Sequence, residues 1–197
     1  MKMTAGGFAI IRLKFGSLSQ DAVDNINLIV ETCEKYGLSY PQSAYVLATV
    51  AWETARTFKP IEEYGKGKGR KYGTWYTNTK GVKYGIAGSG GSTYLYSDYP
   101  HLYYGRGHTQ NTWLDNYKYI KQRTGVDVVN NPSLLLDSKL SAEVTVLAMK
   151  EGWYTSKKLS DYINDNKKDY VGARRIVNGT DKAKEIADIA VVMERAL

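Results

Sequence analysis

The chain has 197 residues, 43% of them apolar and 24% charged, with 27 Lys and Arg against 20 Asp and Glu for a net charge of +7. That length supports one compact domain with its own core, and the single cysteine, Cys33, excludes an intramolecular disulfide framework. The positive balance points to polyanions, whether nucleic acid, acidic membrane surfaces or the bacterial envelope, without choosing among them.

The opening MKMTAGGFAIIRLKFG carries an apolar run broken by Arg12 and Lys14. It is too short for a signal-peptide core or a membrane span, so synthesis and folding in the cytoplasm are expected. Residues 19–35 begin with Ser19 as a cap and place Val23, Ile26, Ile29 and Val30 at helical spacing, with Gly37 as the stop. Cys33 lies on that stripe and reads as a small buried hydrophobe, because no basic cluster or second cysteine surrounds it. Pro41 opens a second helix, and no charged residue falls between Lys35 and Glu53. That helix is predicted to be buried, with one carboxylate at its end.

From about 64 to 107 the texture changes to Gly, Tyr, Ser, Lys and Thr, which predicts a loop-rich lobe with short strands at TWYTNT and STYLYS. RKYG and VKYG echo each other but are too short to make a repeat. Helical pattern returns at 111–123, 138–153, LSDYINDN, 168–179 with Gly179 as C-cap, and 181–197. With no Pro- or Ser-rich linker, residues 1–197 are expected to form a single domain.

Paired carboxylates carry the first chemical signal. Glycoside hydrolysis needs one protonated acid for the leaving oxygen and one ionised carboxylate to activate water or attack carbon. Glu53 follows AYVLATVAW at a helix end, where burial and the helix dipole disfavour charge; Glu63 sits beside Gly65 and the lysines of KGKGRK, where water and cations favour it. Glu pairs also occur on ordinary protein surfaces, so a second signal is needed. It comes from YYGRGHTQNTWLDNY at 103–117, where Gln110, Thr112 and Asn116 offer amides and a hydroxyl, and Tyr103, Tyr104, Trp113 and Tyr117 offer flat faces for sugar rings. Arg106 either clamps a carboxylate or braces its loop. Arg174 and Arg175 are open between a helix-surface or internal ion-pairing role and a cleft role.

Other signals carry less. KGKGRK and GIAGSGG follow no apolar strand and open no helix, and His101 and His108 have no acidic or Cys partner at ligand spacing. Nucleotide, metal and cofactor are therefore not expected. The many tyrosines of 64–104 either pack an irregular lobe or stack on sugars.

The strings ATVAWETARTFKPIEEYG, YYGRGHTQNTWLDNY and ARRIVNGTDKA, in that order, resemble the family 19 glycoside hydrolases, in particular their small phage endolysin branch within the lysozyme-like superfamily. The resemblance runs from LSQDAVDNIN to the last helix. It implies a mainly α, lysozyme-like helical domain with a small irregular or β-hairpin lobe flanking a substrate cleft; the absence of a linker already argues against a separate wall-binding domain. Glu53 matches the family's catalytic acid, with Trp52 where the family has His. Glu63, directly before Tyr-Gly, matches the second carboxylate, with Glu62 as the fallback. Thr112 matches the residue that helps hold the water. Gln110 and Asn116 match the residues that grip substrate, Tyr104 belongs to the same motif's aromatic faces, and Asn178 and Gly179 match the family's cleft-lining Asn-Gly.

The resemblance further implies single displacement with inversion, a route that needs carboxyls roughly 6.5–9.5 Å apart. It makes the expected activity hydrolysis of the β-1,4 bond between N-acetylmuramic acid and N-acetylglucosamine in peptidoglycan. A chitinase and a catalytically inert envelope-binding protein are the competing readings. The implied setting is the host bacterial cytoplasm before lysis, with a holin-type partner for access to the wall, no nucleic acid, no membrane insertion and a monomer as the default.

Overall fold

The computed structural model describes all 197 residues. In chain order it runs α1 (Ala5–Phe15), α2 (Gln20–Lys35), α3 (Tyr40–Glu53), β1 (Ile61–Glu62), β2 (Tyr76–Thr77), β3 (Lys83–Ile86), β4 (Thr93–Leu95), β5 (Arg106–Gly107), α4 (Leu114–Thr124), α5 (Ser138–Glu151), α6 (Leu159–Tyr162), β6 (Ile163–Asn164), β7 (Lys167–Lys168) and α7 (Ala183–Ala196). The chain is mainly α, as its periodicity predicts. It divides into two units, one of Met1–Lys59 with Ala142–Leu197 and one of Pro60–Ser141. No helix is long and apolar enough to cross a membrane.

The first unit is helical. Ser19 caps α2 by accepting from the Ala22 amide at 3.1 Å, and Ile26, Ile29, Val30 and Cys33 are buried along it. Burial pushes the Cys33 thiol up to about 12, against a weaker opposing hydrogen bond from Ser43, so it is an inert part of the core. Ser39 and Gln42 form a reciprocal capping box at the start of α3, and every residue from Ser43 to Ala51 is buried. α3 packs against α2 and α7, and α1 packs against α7. Gly7 makes the α1 contact close: a Cβ there would lie 2.2 Å from the Ala196 carbonyl oxygen.

Two stretches differ from the sequence reading. The opening residues form α1, capped by Thr4, and Phe8 and Ile11 are buried; the interrupting Arg12 and Lys14 lie on its exposed side. The helical pattern expected over LSDYINDN and 168–179 yields only α6, a two-stranded hairpin of β6 and β7, and a 3-10 turn at Gly172–Ile176. Turn chemistry prevails there. Asn164 Oδ1 accepts from the Asn166 amide at 3.0 Å, and Asp169 Oδ1 accepts from the Gly172 amide at 2.7 Å. Gly179 is not a helix cap; its amide donates to the Asn178 side chain at 2.8 Å.

The second unit holds the predicted loop-rich stretch. β2, β3 and β4 form a three-stranded antiparallel sheet with Tyr76 opposite Tyr84 and Gly85 opposite Tyr94. Gly85 is required there, because a Cβ would fall 2.5 Å from the Tyr94 ring. β1 pairs with β5, placing Glu62 opposite Arg106. Tyr103, Leu114, Tyr117 and Ile120 are buried alongside, with the Tyr103 and Tyr117 rings edge-on at 4.9 Å.

Candidate active site

In the first unit, Glu53 is the last residue of α3, and the chain behind it is tightly fixed. The Thr54 hydroxyl donates to the Val50 carbonyl at 2.7 Å and accepts from the Phe58 amide at 2.9 Å. Within that turn Ala55, Arg56 and Phe58 all adopt positive φ, at 49°, 69° and 57°. Left-handed backbone costs a non-glycine residue about 1 kcal/mol or more, and the fully buried Phe58 ring, edge-on to Phe15 at 6.1 Å, offsets that cost. The strain sits directly after the carboxylate.

Glu53 does not rest among apolar neighbours alone. Arg174, almost wholly buried, donates from its terminal nitrogen to Glu53 Oε1 at 3.1 Å and from Nε to the Asp181 carbonyl at 2.9 Å. The guanidinium is itself oriented by backbone and orients the carboxylate in turn. Of the roles open to Arg174, internal ion pairing is the one observed, whereas Arg175 lies on the surface. Tyr45 stacks on Tyr170 at 6.0 Å behind this pair, and burial pushes its phenol well above the ordinary tyrosine value. Asn178 is exposed, and its amide donates to the Arg174 carbonyl at 3.0 Å. The expected cleft residue thus follows directly from the turn that holds Arg174.

In the second unit, Glu62 and Glu63 take separate roles. Glu62 Oε1 accepts from the Tyr104 hydroxyl at 3.1 Å and lies 3.6 Å from Arg106 Nε. Arg106 braces the loop: it is buried, its guanidinium lies 3.7 Å from the centre of the Tyr104 ring, and it donates to the Leu102 carbonyl and the Tyr117 hydroxyl at 3.2 and 3.0 Å. Tyr104 is therefore a buried strut for Glu62, its ring covered by Arg106.

Glu63 accepts from the Tyr72 hydroxyl on Oε1 at 2.8 Å and from the Gly105 amide on Oε2 at 3.0 Å. The contacts that fix it are thus a phenol and a backbone amide, not the lysines of the following loop. Burial, then the bond to Glu63 itself, pushes the Tyr72 phenol up to about 12, so it stays a donor through neutral pH. The Tyr72 ring also meets Trp113 edge-on at 5.2 Å. Gly105 is pinched: a Cβ there would come 2.6 Å from Gln110 Oε1 and 3.2 Å from Glu63 Cβ. Gln110 donates to the Ile61 carbonyl at 3.2 Å and has φ of 24°. Thr112 is partly exposed ahead of α4, and its carbonyl accepts from the Asn116 amide side chain at 2.7 Å. Glu62, Glu63, Tyr104, Gln110, Thr112 and Asn116 therefore belong to one unit, and Glu53 and Asn178 to the other.

No protein-family model matches the sequence, and no curated protein matches it. Among solved structures the fold is similar to chitinase C from Streptomyces griseus HUT6037, at 16% identity, covering 96% of this chain and 78% of that one with a TM-score of 0.60. It is also similar to a bacterial family 19 chitinase at 19% identity, covering 95% and 92% of the two chains with a TM-score of 0.51. The fold is that of the family 19 chitinases. At such identity the likeness carries the backbone arrangement and no residue roles, which rest on the contacts above.

Three contributors escaped the sequence reading: the Arg174 bond to Glu53, and Tyr72 and Gly105 on Glu63. Arg174 stood in ARRIVNGTDKA but 121 residues from its partner. Tyr72 stood among many loop tyrosines with no periodicity to mark it.

Proposed function

We propose that the chain is a peptidoglycan hydrolase of the endolysin type, cleaving the β-1,4 bond between N-acetylmuramic acid and N-acetylglucosamine by inverting acid/base catalysis. The carrying observation is that Glu53 and Glu63 are each fixed by built donors, Glu53 by a buried guanidinium and Glu63 by a phenol and an amide. The family 19 chitinase fold adds weight to glycosidic chemistry, and the net charge of +7 favours an anionic glycan.

In this reading Arg174 keeps its hydrogen bond to Oε1 when Glu53 takes up a proton, and Oε2 carries that proton to the departing sugar oxygen, leaving the ionised carboxylate paired with the guanidinium. Glu63 keeps lone pairs beyond those taken by Tyr72 and Gly105, and these accept a proton from the attacking water, with Thr112 helping to orient it. Water adds to the anomeric carbon as the glycosidic C–O bond breaks. One proton passes from Glu53 to the leaving group and one from water to Glu63. Gln110, Asn116 and Asn178 offer amides to sugar hydroxyls, and Tyr104, its ring covered by Arg106, contributes by bracing Glu62 and not by stacking on a sugar. Glu62, committed to Tyr104 and Arg106, is structural. Action on the wall from the host bacterial cytoplasm then requires a holin-type permeabilising partner.

The similarity to solved chitinases favours one second reading, hydrolysis of N-acetylglucosamine polymers. Mass spectrometry of digested peptidoglycan separates the two. New reducing ends on N-acetylmuramic acid support the first proposal; intact peptidoglycan together with release from colloidal chitin supports the second.

A further inference from the structure

Between Glu63 and Asp98 the chain contains six cations, Lys66, Lys68, Arg70, Lys71, Lys80 and Lys83, and no carboxylate. All six are exposed. An ordinary solvated surface intersperses both signs, so an uncompensated run of this length raises the local potential for anions.

Lys83 stands at the centre of a built patch. On one face of the three-stranded sheet its ammonium lies 4.1 Å from the centre of the Tyr96 ring and 5.2 Å from that of Trp75. Those two rings meet at 5.0 Å and 78°. Register explains the grouping: the Tyr96 amide donates to the Lys83 carbonyl, and Thr77, two residues after Trp75, pairs with Lys83. Beneath them the buried Tyr94 lies over Gly85 and meets Trp75 at 5.6 Å. The patch is therefore anchored, yet Tyr96 remains 41% exposed and none of its polar groups serves the catalytic carboxylates.

We propose that Trp75, Lys83 and Tyr96 form a second binding site, sharing no residue with the contacts that hold Glu53 and Glu63, for a carboxylate-bearing glycan strand. The exposed Tyr96 ring, braced edge-on by Trp75, offers a flat apolar face to the C–H surface of a sugar. The ammonium, held over both rings, pairs with a free carboxylate borne by that strand, on a sugar left unsubstituted or on the peptide amide-linked to it. Neighbouring cations add attraction that weakens as salt rises. The choice of a carboxylated glycan rests on the peptidoglycan reading of the function; the existence of the patch does not.

Sedimentation of the full-length protein with purified peptidoglycan sacculi on ice tests the site, with hydrolysis of a short soluble glycan measured in parallel. Lys83→Gln and Tyr96→Ala are each expected to lower the pelleted fraction about tenfold in apparent affinity while hydrolysis of the short glycan stays within twofold. Lys83→Arg is expected to restore binding. Sacculi whose carboxylates have been amidated should lose the wild-type protein to the same extent. Undiminished pelleting of Lys83→Gln, equal binding to amidated sacculi, or stronger binding to double-stranded DNA than to sacculi would overturn the proposal. Lack of hydrolysis by the wild type, with pelleting intact and Lys83-dependent, would sink the catalytic reading and leave this site standing.

Discussion

At the scale of single residues, the two carboxylates of the 62–63 pair should behave oppositely. Glu63→Gln is expected to lower turbidity clearance of permeabilised bacteria by at least about 100-fold, whereas Glu62→Gln should chiefly loosen the Arg106 loop and leave most activity. Equal loss in both would remove the distinction drawn from their partners. Glu53→Gln should abolish lysis on purified peptidoglycan, and retained lysis would exclude Glu53 as the acid. Arg174 has a double contact, to Glu53 and to the Asp181 carbonyl, that a lysine cannot reproduce. Arg174→Met leaves Glu53 without its cation in a largely buried setting, a change that costs about 3 kcal/mol and should lower the thermal midpoint by about 6–12 °C. Calorimetry checks the stability and the lysis assay checks the function. These contacts show why residue types were legible earlier than residue roles. A glutamate at the end of an apolar run is visible in AYVLATVAWE, but its guanidinium arrives from a turn far along the chain.

At the scale of elements, the helices with clean caps and stripes followed local rules. Ser19 and Ser39 begin α2 and α3 where the sequence places them, and Gly37, with φ of 69°, lies just past α2. Elements failed where two local tendencies competed: the Asn164-Asp165-Asn166 turn prevailed over helical periodicity, and α1 was obscured by cations that simply face outward. The α1–α7 contact yields a direct test. Ala is normally the better helix former by about 1 kcal/mol, but Gly7→Ala should destabilise by about 1–3 kcal/mol in urea unfolding, because its methyl meets the Ala196 carbonyl. Phe58→Ala should cost about 3–5 kcal/mol through the cavity it opens in the turn after Glu53, and activity should fall further than stability alone accounts for. A change in midpoint with unaltered specific activity would show that this strained turn does not position the carboxylate.

At the scale of the whole molecule, the abundance of buried tyrosine sets the response to alkali. Burial pushes the phenols of Tyr72 and Tyr117 up to about 12 from the ordinary 10.0, and those of Tyr94, Tyr103 and Tyr170 higher still. Below about pH 10 each is neutral whether the chain is folded or not, so their contribution is fully present. As pH rises from there through about 12, the unfolded chain ionises first and stability falls. Spectrophotometric titration should therefore show tyrosinate appearing cooperatively with loss of helical circular dichroism above pH 10. Smooth ionisation of every tyrosine, the buried ones included, with helix retained would contradict their burial.

The sequence alone determined the composition, the mainly α class, the buried α3 ending in Glu53, and the loop-rich character of the segment after Tyr64. These depend on spacing within a few residues, on caps, and on glycine and tyrosine content, all of which act locally. Only the tertiary structure decided that Arg174 meets Glu53, that Tyr72 and Gly105 hold Glu63 while Tyr104 and Arg106 hold Glu62, and that Trp75, Lys83 and Tyr96 meet on one sheet face. Those pairings depend on strand register and helix packing, which bring together residues whose spacing along the chain bears no relation to their distance in space.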